Sequence, residues 1–122
     1  MSMYPEEVMD LYSERPNYGR LKSSSVSANE INPSCGDELD IDLIIENGIV
    51  KEVGYTNKKG CFVTLLAASV LTEKIKGMKV EDIKKMDKKD IDKLLGEKVI
   101  ETRISCELLP LEAIKKAIMK LK

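Results

Sequence analysis

The sequence predicts a chain with an antiparallel β-hairpin in its first half and helices in its second half. Two observations carry this prediction. Residues 38–46 alternate apolar and polar side chains, residues 49–57 form a second extended run with apolar Ile49, Val53 and Tyr55, and Asn47-Gly48 lies between the two. An Asn-Gly pair in that place is the strongest short-range hairpin signal, because both turn residues must adopt positive φ. After residue 60 the apolar residues recur at helical spacing instead.

The segments before the hairpin carry weaker signals. Pro5 and the two glutamates after it favour a short helix over residues 5–13. Residues 13–34 are polar and rich in Ser, Asn, Pro and Gly, which predicts a mobile stretch. A weak alternation that starts at Val26 indicates a short edge strand within it.

The second half reads as a series of helices. Residues 61–76 are apolar on nearly every side, which predicts a buried helix that Gly77 ends. A short helix is expected over 80–85, and a clearer one over 87–95 with Asp87 as its N-cap. Residues 99–105 have an extended pattern, and 109–121 are predicted as the final helix, with Pro110 in its first turn.

Composition limits the classes of function. The chain has 122 residues, 43% of them hydrophobic and 34% charged, which suits one domain over 1–122. A net charge of −1 creates no field that would attract nucleic acid or an anionic membrane. No apolar run reaches the roughly 18 residues of a membrane span, and the acidic start does not resemble a leader. We therefore expect a cytoplasmic protein with neither a nucleic-acid nor a membrane partner.

Three cysteines, Cys35, Cys61 and Cys106, are the strongest chemical signal, and the chain has no histidine. An odd number without a leader argues against a disulfide framework. Thiolates suit iron–sulfur clusters, zinc or copper(I), and their wide spacing means that a joint site must be assembled by folding. The missing histidine nearly excludes a Cys–His hydrolase, which needs that base.

The contexts of Cys61 and Cys106 favour reactive thiols. Cys61 is expected at the N-terminus of the buried helix, directly after Lys58, Lys59 and Gly60. The helix dipole and the two ammonium groups both favour the thiolate form there. Cys106, placed just before the final helix, should experience a weaker version of the same field.

Cys35 lies in a Pro-Ser-Cys-Gly-Asp turn ahead of the first long strand, and Asp37 follows it closely. Asp37 is a candidate fourth ligand or proton acceptor. The alternative for this aspartate is a turn residue that bonds its own backbone. The cysteines could also be ordinary small buried side chains, and the count alone does not separate these interpretations.

These residues closely resemble the U-type iron–sulfur scaffold family, which comprises IscU, SufU and the N-terminal part of NifU. Residues 4–19 look like its N-terminal helix and following loop, with altered residue order in the loop. Residues 32–37 (NPSCGD) match the first ligand motif, and 60–77 match the second cysteine and its helix. Cys106 ahead of residues 112–115 (EAIK) matches the third.

The resemblance implies an α+β fold: a small antiparallel three-stranded sheet, first strand near 24–30, with helices packed on one face. It implies a non-catalytic scaffold for a [2Fe–2S] cluster, with sulfur from a cysteine desulfurase and transfer to apo iron–sulfur acceptor proteins. Cys35, Cys61 and Cys106 would hold the metal, and Asp37 would be an exchangeable ligand that allows release. The family makes residues 99–105 a linker rather than a strand.

Four departures from the family are visible. Ser105 stands where the IscU branch has a histidine, and the SufU branch's insertion before the third cysteine is missing. The Leu-Pro-Pro-x-Lys segment that IscU offers to Hsp70 is also absent, so no dedicated Hsp70 partner is expected. Phe62 follows the second cysteine where small residues are usual.

Two other functions stay open from the sequence. In one, Cys35, Asp37, Cys61 and Cys106 bind Zn²⁺ and a thiol accepts persulfide sulfur, which would make the protein a sulfurtransferase. An S₃O ligand set is chemically sufficient for zinc. In the other, the protein is an adaptor with inert thiols. Assembly into a homo-oligomer is left open.

Overall fold

The computed structural model describes residues 6, 10, 13–32, 36–59, 62–95 and 104–121. Three antiparallel strands form one sheet in the order β1-β2-β3. The strands are β1 Val26–Ile31, β2 Glu38–Glu46 and β3 Ile49–Lys59, and the helices are α1 Phe62–Ile75, α2 Val80–Lys84, α3 Lys88–Leu95 and α4 Ile104–Met119. The predicted helix over 5–13 lies largely outside the described residues.

The hairpin prediction is confirmed. Asn47 and Gly48 have φ values of 54° and 75°, the positive values that a tight two-residue turn requires. The pairing runs from Ile49 opposite Glu46 to Lys59 opposite Glu38, so β3 is two residues longer than predicted. The alternating pattern thereby directs one set of β2 side chains toward the helices.

The core lies between this face of the sheet and helices α1 and α4, which confirms the expected α+β fold. Helix α4 packs on β1, β2 and α1, and α1 also contacts β3. The fully buried side chains at this junction come from β2, β3, α1 and α4: Leu39, Ile41, Leu43, Tyr55, Leu66, Leu71, Ile75, Leu109 and Ile114. No helix in the described part of the chain has the length and apolar character needed to cross a membrane.

The opposite face of the sheet is covered by the polar segment that the sequence predicted to be mobile. Arg20 donates two hydrogen bonds to the Asp42 carboxylate, at 2.7 and 2.9 Å, and the Leu21 N–H and the Ser27 hydroxyl donate two more. Asp42 is 2% exposed. The prediction of mobility is therefore wrong for residues 20–21, because a buried carboxylate on β2 holds them in place.

Residues 17–19 continue this cover along the outer edge of β3. The Tyr55 N–H donates to the Asn17 carbonyl, and the Gly19 N–H donates to the Tyr55 carbonyl at 2.7 Å. The Asn17 amide also reaches Glu73 on α1. These bonds satisfy backbone groups that an open strand edge would leave available for another chain.

Gly54 permits the close approach of this segment. A Cβ at position 54 would lie 2.5 Å from the Gly19 carbonyl oxygen and 3.1 Å from Leu21 Cγ. We expect Gly54→Ala to displace residues 19–21 and to lower the free energy of unfolding by about 1–3 kcal/mol. Urea unfolding measures this change. The control is Glu52→Ala on the exposed part of the same strand, and equal urea midpoints for the two variants would contradict the expectation.

The outer edge of β1 is covered by lysines rather than by backbone. Lys116 donates to the Asn29 carbonyl at 2.8 Å, and Lys120 donates to the Ser27 carbonyl at 2.7 Å. These two side chains therefore hydrogen-bond to carbonyl groups that would otherwise be available for pairing with a strand of another chain.

The first residues of α3 and α4 can be compared with the helix starts that the sequence predicted. Asp87 caps α3 as predicted. Its carboxylate accepts a hydrogen bond from the Lys89 N–H at 3.0 Å, and the Asp90 carboxylate accepts one from the Asp87 N–H at 2.9 Å. Helix α4, however, begins at Ile104, five residues earlier than predicted, and Pro110 lies in its interior. The extended prediction is therefore wrong at residues 104–105, and 99–103 lie outside the described residues.

Candidate functional site

Asp37 ends the connection between β1 and β2, in the motif that contains the first cysteine. The Asn32 N–H donates to the Asp37 carbonyl at 2.8 Å, and the Gly36 N–H donates to the Asn32 carbonyl at 2.7 Å. These two bonds turn the chain back on itself between the strands. Asp37 therefore has a fixed backbone position at one end of the sheet.

The Asp37 side chain points into the protein. It is 5% exposed, and its Oδ2 accepts a 2.6 Å hydrogen bond from the hydroxyl of Thr64, which is completely buried. Thr64 is the third residue of α1, so the carboxylate lies beside the positive end of that helix dipole. Burial of a carboxylate is costly without such partners.

The Thr64–Asp37 hydrogen bond joins two cysteine-bearing segments. Asp37 is two residues after Cys35, and Thr64 is three residues after Cys61. Both cysteines lie outside the described residues. The described chain that follows each of them nevertheless meets at this hydrogen bond.

Helix α4 runs antiparallel to β1. Its Lys120 reaches Ser27 and its Lys116 reaches Asn29, so moving four residues back along the helix advances two residues along the strand. The rises agree, because four helical residues span about 6 Å and two strand residues about 6.6 Å. The N-terminal end of α4 thus points toward the end of β1, where the connection to β2 begins.

Cys106 is the third residue of α4. It precedes Lys116 by ten residues, about 15 Å along the helix axis, beyond the level of Ile31 at the end of β1. The backbone of its helical turn therefore lies at the same end of the sheet as Asp37; its side chain is outside the described set. Pro110 has no N–H, so it cannot donate the usual helical hydrogen bond to the Cys106 carbonyl.

Among the predicted site residues, Asp37 is the one whose side chain the structure describes. Sequence reasoning named Asp37 but missed Thr64, its hydrogen-bond donor. One signal could have found it: a threonine in the first turn of the helix, ahead of an apolar run and close to a cysteine. The donor set, thiolates with one carboxylate, suits either iron or zinc.

Comparison with known proteins gives matches along the whole chain. The family model of the NifU-like N-terminal domain matches residues 3–122. The iron–sulfur cluster assembly scaffold protein IscU of Thermotoga maritima is 28% identical, over 98% of this chain and 94% of its own length. The zinc-dependent sulfurtransferase SufU of Bacillus subtilis is also 28% identical, over 98% of this chain and 91% of its own length.

Solved structures agree on the fold. The crystal structure of a NifU-like N-terminal protein from Brucella abortus superposes with a TM-score of 0.76 at 15% sequence identity. The match covers 94% of this chain and 91% of that one. At this identity the likeness concerns the arrangement of sheet and helices alone.

Proposed function

Since the chain belongs to the family of NifU-like N-terminal domains, we propose that it is a scaffold on which an iron–sulfur cluster is assembled as cargo and then passed on. In this proposal the cargo is a [2Fe–2S] cluster held by Cys35, Cys61 and Cys106, with Asp37 as the exchangeable ligand. A cysteine desulfurase supplies the sulfur, and apo iron–sulfur proteins receive the cluster. Thiols that must stay reduced to bind iron suit the cytoplasm.

The observation that carries the proposal is the 2.6 Å hydrogen bond between Thr64 and Asp37. It joins the segment after Cys35 to the segment after Cys61, and the first turn of α4, which contains Cys106, lies at the same end of the sheet. In the proposal, the three thiols bind one metal centre together at that end of the sheet. A harder, more weakly held carboxylate among soft thiolates would make such a centre transferable.

The experiment is anaerobic reconstitution of the full chain with ferrous iron, cysteine, a cysteine desulfurase and excess dithiothreitol, which reduces the persulfide sulfur to sulfide. We expect visible charge-transfer absorption, with iron and acid-labile sulfide bound in equal amounts. The variant with all three cysteines changed to serine is expected to bind neither. A parent protein that stays colourless and free of iron would overturn the scaffold proposal.

A second function is favoured by the similarity to the zinc-dependent sulfurtransferase SufU. The same three cysteines and Asp37 would hold Zn²⁺, which stabilises thiolates near neutral pH. One thiolate would attack the outer sulfur of the desulfurase persulfide. A new S–S bond would form as the old one breaks, and the desulfurase thiolate would leave. Tightly bound zinc, no cluster, and persulfide on this chain would favour this function over the scaffold.

A further inference from the structure

Thr64 differs from the other buried threonine of α1 in its hydrogen bonding. The Thr72 hydroxyl donates to the Ala68 carbonyl one turn back in its own helix, at 2.6 Å. This is the usual pattern for a threonine in a helix interior. Thr64 lies in the first turn, and its hydroxyl donates across 27 positions of sequence to the Asp37 carboxylate.

This hydrogen bond affects what the carboxylate can do. Asp37 is 5% exposed and Thr64 is 0% exposed, so water has little access to either group. A hydroxyl that donates to a carboxylate makes a short, strong bond and withdraws electron density from the oxygen that accepts it. Oδ2 is therefore a weaker metal ligand while Thr64 holds it, and the metal-free position of the carboxylate is stabilised.

We infer that Thr64 is a positioning residue that sets how readily Asp37 leaves the metal during transfer. The inference rests on the proposed function, in which Asp37 is the exchangeable ligand. When Asp37 detaches, the Thr64 hydroxyl receives the carboxylate inside the protein. Without that hydroxyl, the detached carboxylate loses one hydrogen-bond donor inside the protein, so detachment becomes harder.

The test is the isosteric variant Thr64→Val, compared with Thr64→Ser and with Thr72→Val as the matched control. Each chain is loaded with cluster, and transfer to an apo-ferredoxin is followed by visible circular dichroism. We expect Thr64→Val to transfer about tenfold more slowly, the effect typical of removing a hydrogen-bond partner of a metal ligand. Thr64→Ser, which keeps the hydroxyl, and Thr72→Val are expected within about twofold of the parent.

A second measurement uses the metal-free proteins. Thr64→Val leaves the Asp37 carboxylate without this donor, so its urea midpoint should fall below that of Thr64→Ser. In an Asp37→Ala background this difference should disappear, because the carboxylate is gone. If Thr64→Val does not fold, Thr64→Ala provides the same comparison.

The failure of this inference differs from failure of the proposed function. A parent that binds no cluster would overturn the scaffold function. A parent that loads and transfers, together with Thr64→Val at the parental rate, would overturn the role of Thr64 alone. Thr64→Ser as slow as Thr64→Val would also contradict it, since the effect would then not come from the hydroxyl.

Discussion

Asp37→Ala is expected to keep a bound cluster longer than the parent and to slow its transfer by at least about tenfold, or ~1.4 kcal/mol in the transfer barrier. The reason is the chemistry of the ligand set. A carboxylate is a harder ligand than a thiolate and exchanges more easily on iron, so its loss removes the easy route of release. Transfer from the loaded variant to an apo-acceptor measures the effect.

The matched control for this prediction is Asp40→Ala. Asp40 is an acidic residue on β2, three positions after Asp37, and its carboxylate accepts a hydrogen bond from Asn29 rather than from α1. The Asp40→Ala variant should transfer its cluster at the parental rate. If Asp37→Ala transferred its cluster as fast as the parent or faster, Asp37 would not be the exchangeable ligand.

Asp42→Asn is expected to cause the largest loss of stability, about 2–4 kcal/mol in the free energy of unfolding. The carboxylate is 2% exposed and accepts bonds from Arg20, Leu21 and Ser27, whereas an amide has one acceptor oxygen and must turn its NH₂ toward these donors. Arg20 is 56% exposed, so water recovers part of its loss. Urea unfolding at neutral pH measures the difference, with the exposed Glu46→Gln as the control.

The ion pair between Arg20 and Asp42 makes the free energy of unfolding depend on pH. Burial would raise the pKa of Asp42, but the hydrogen bonds from Arg20, Ser27 and Leu21 outweigh it and hold that pKa below its usual value. A lowered pKa stabilises the fold above the unfolded pKa of about 3.9. This contribution is lost as the pH falls through the folded pKa. The difference in the free energy of unfolding between the parent and Asp42→Asn should therefore become smaller toward pH 3. A difference that stays constant with pH would contradict the claim that the ionised Asp42 carboxylate stabilises the fold.

The accuracy of the sequence predictions followed the range of the interactions. The hairpin at Asn47-Gly48 and the N-cap at Asp87 were predictable because a few neighbouring residues decide them. The start of α4 was predicted too late, because Pro110 suggested a first turn. A proline in a helix interior lacks one hydrogen bond, and here the packing of α4 on the sheet and α1 outweighs that loss.

For the site, the sequence supplied the residue types but not their contacts. The three cysteines, Asp37 and the family motif were readable from the chain alone. The contact between Thr64 and Asp37 was not, because it joins residues far apart in sequence and no local pattern encodes it. The same holds for the contact between Arg20 and Asp42: the sequence placed Arg20 in a mobile stretch and Asp42 among the polar positions of a strand, and predicted no bond between them.

The sequence by itself determined the hairpin, most of the helices and the thiol and carboxylate chemistry, since these depend on local backbone preferences and on residue type. The α+β class followed from the resemblance of its motifs to a known family. Only the tertiary structure decided that Asp37 is buried against Thr64, that Asp42 holds Arg20 and Leu21, and that Lys116 and Lys120 cover the edge of β1. The physical reason is that buried charges and open strand edges must find partners. Which partners they find depends on how the elements pack.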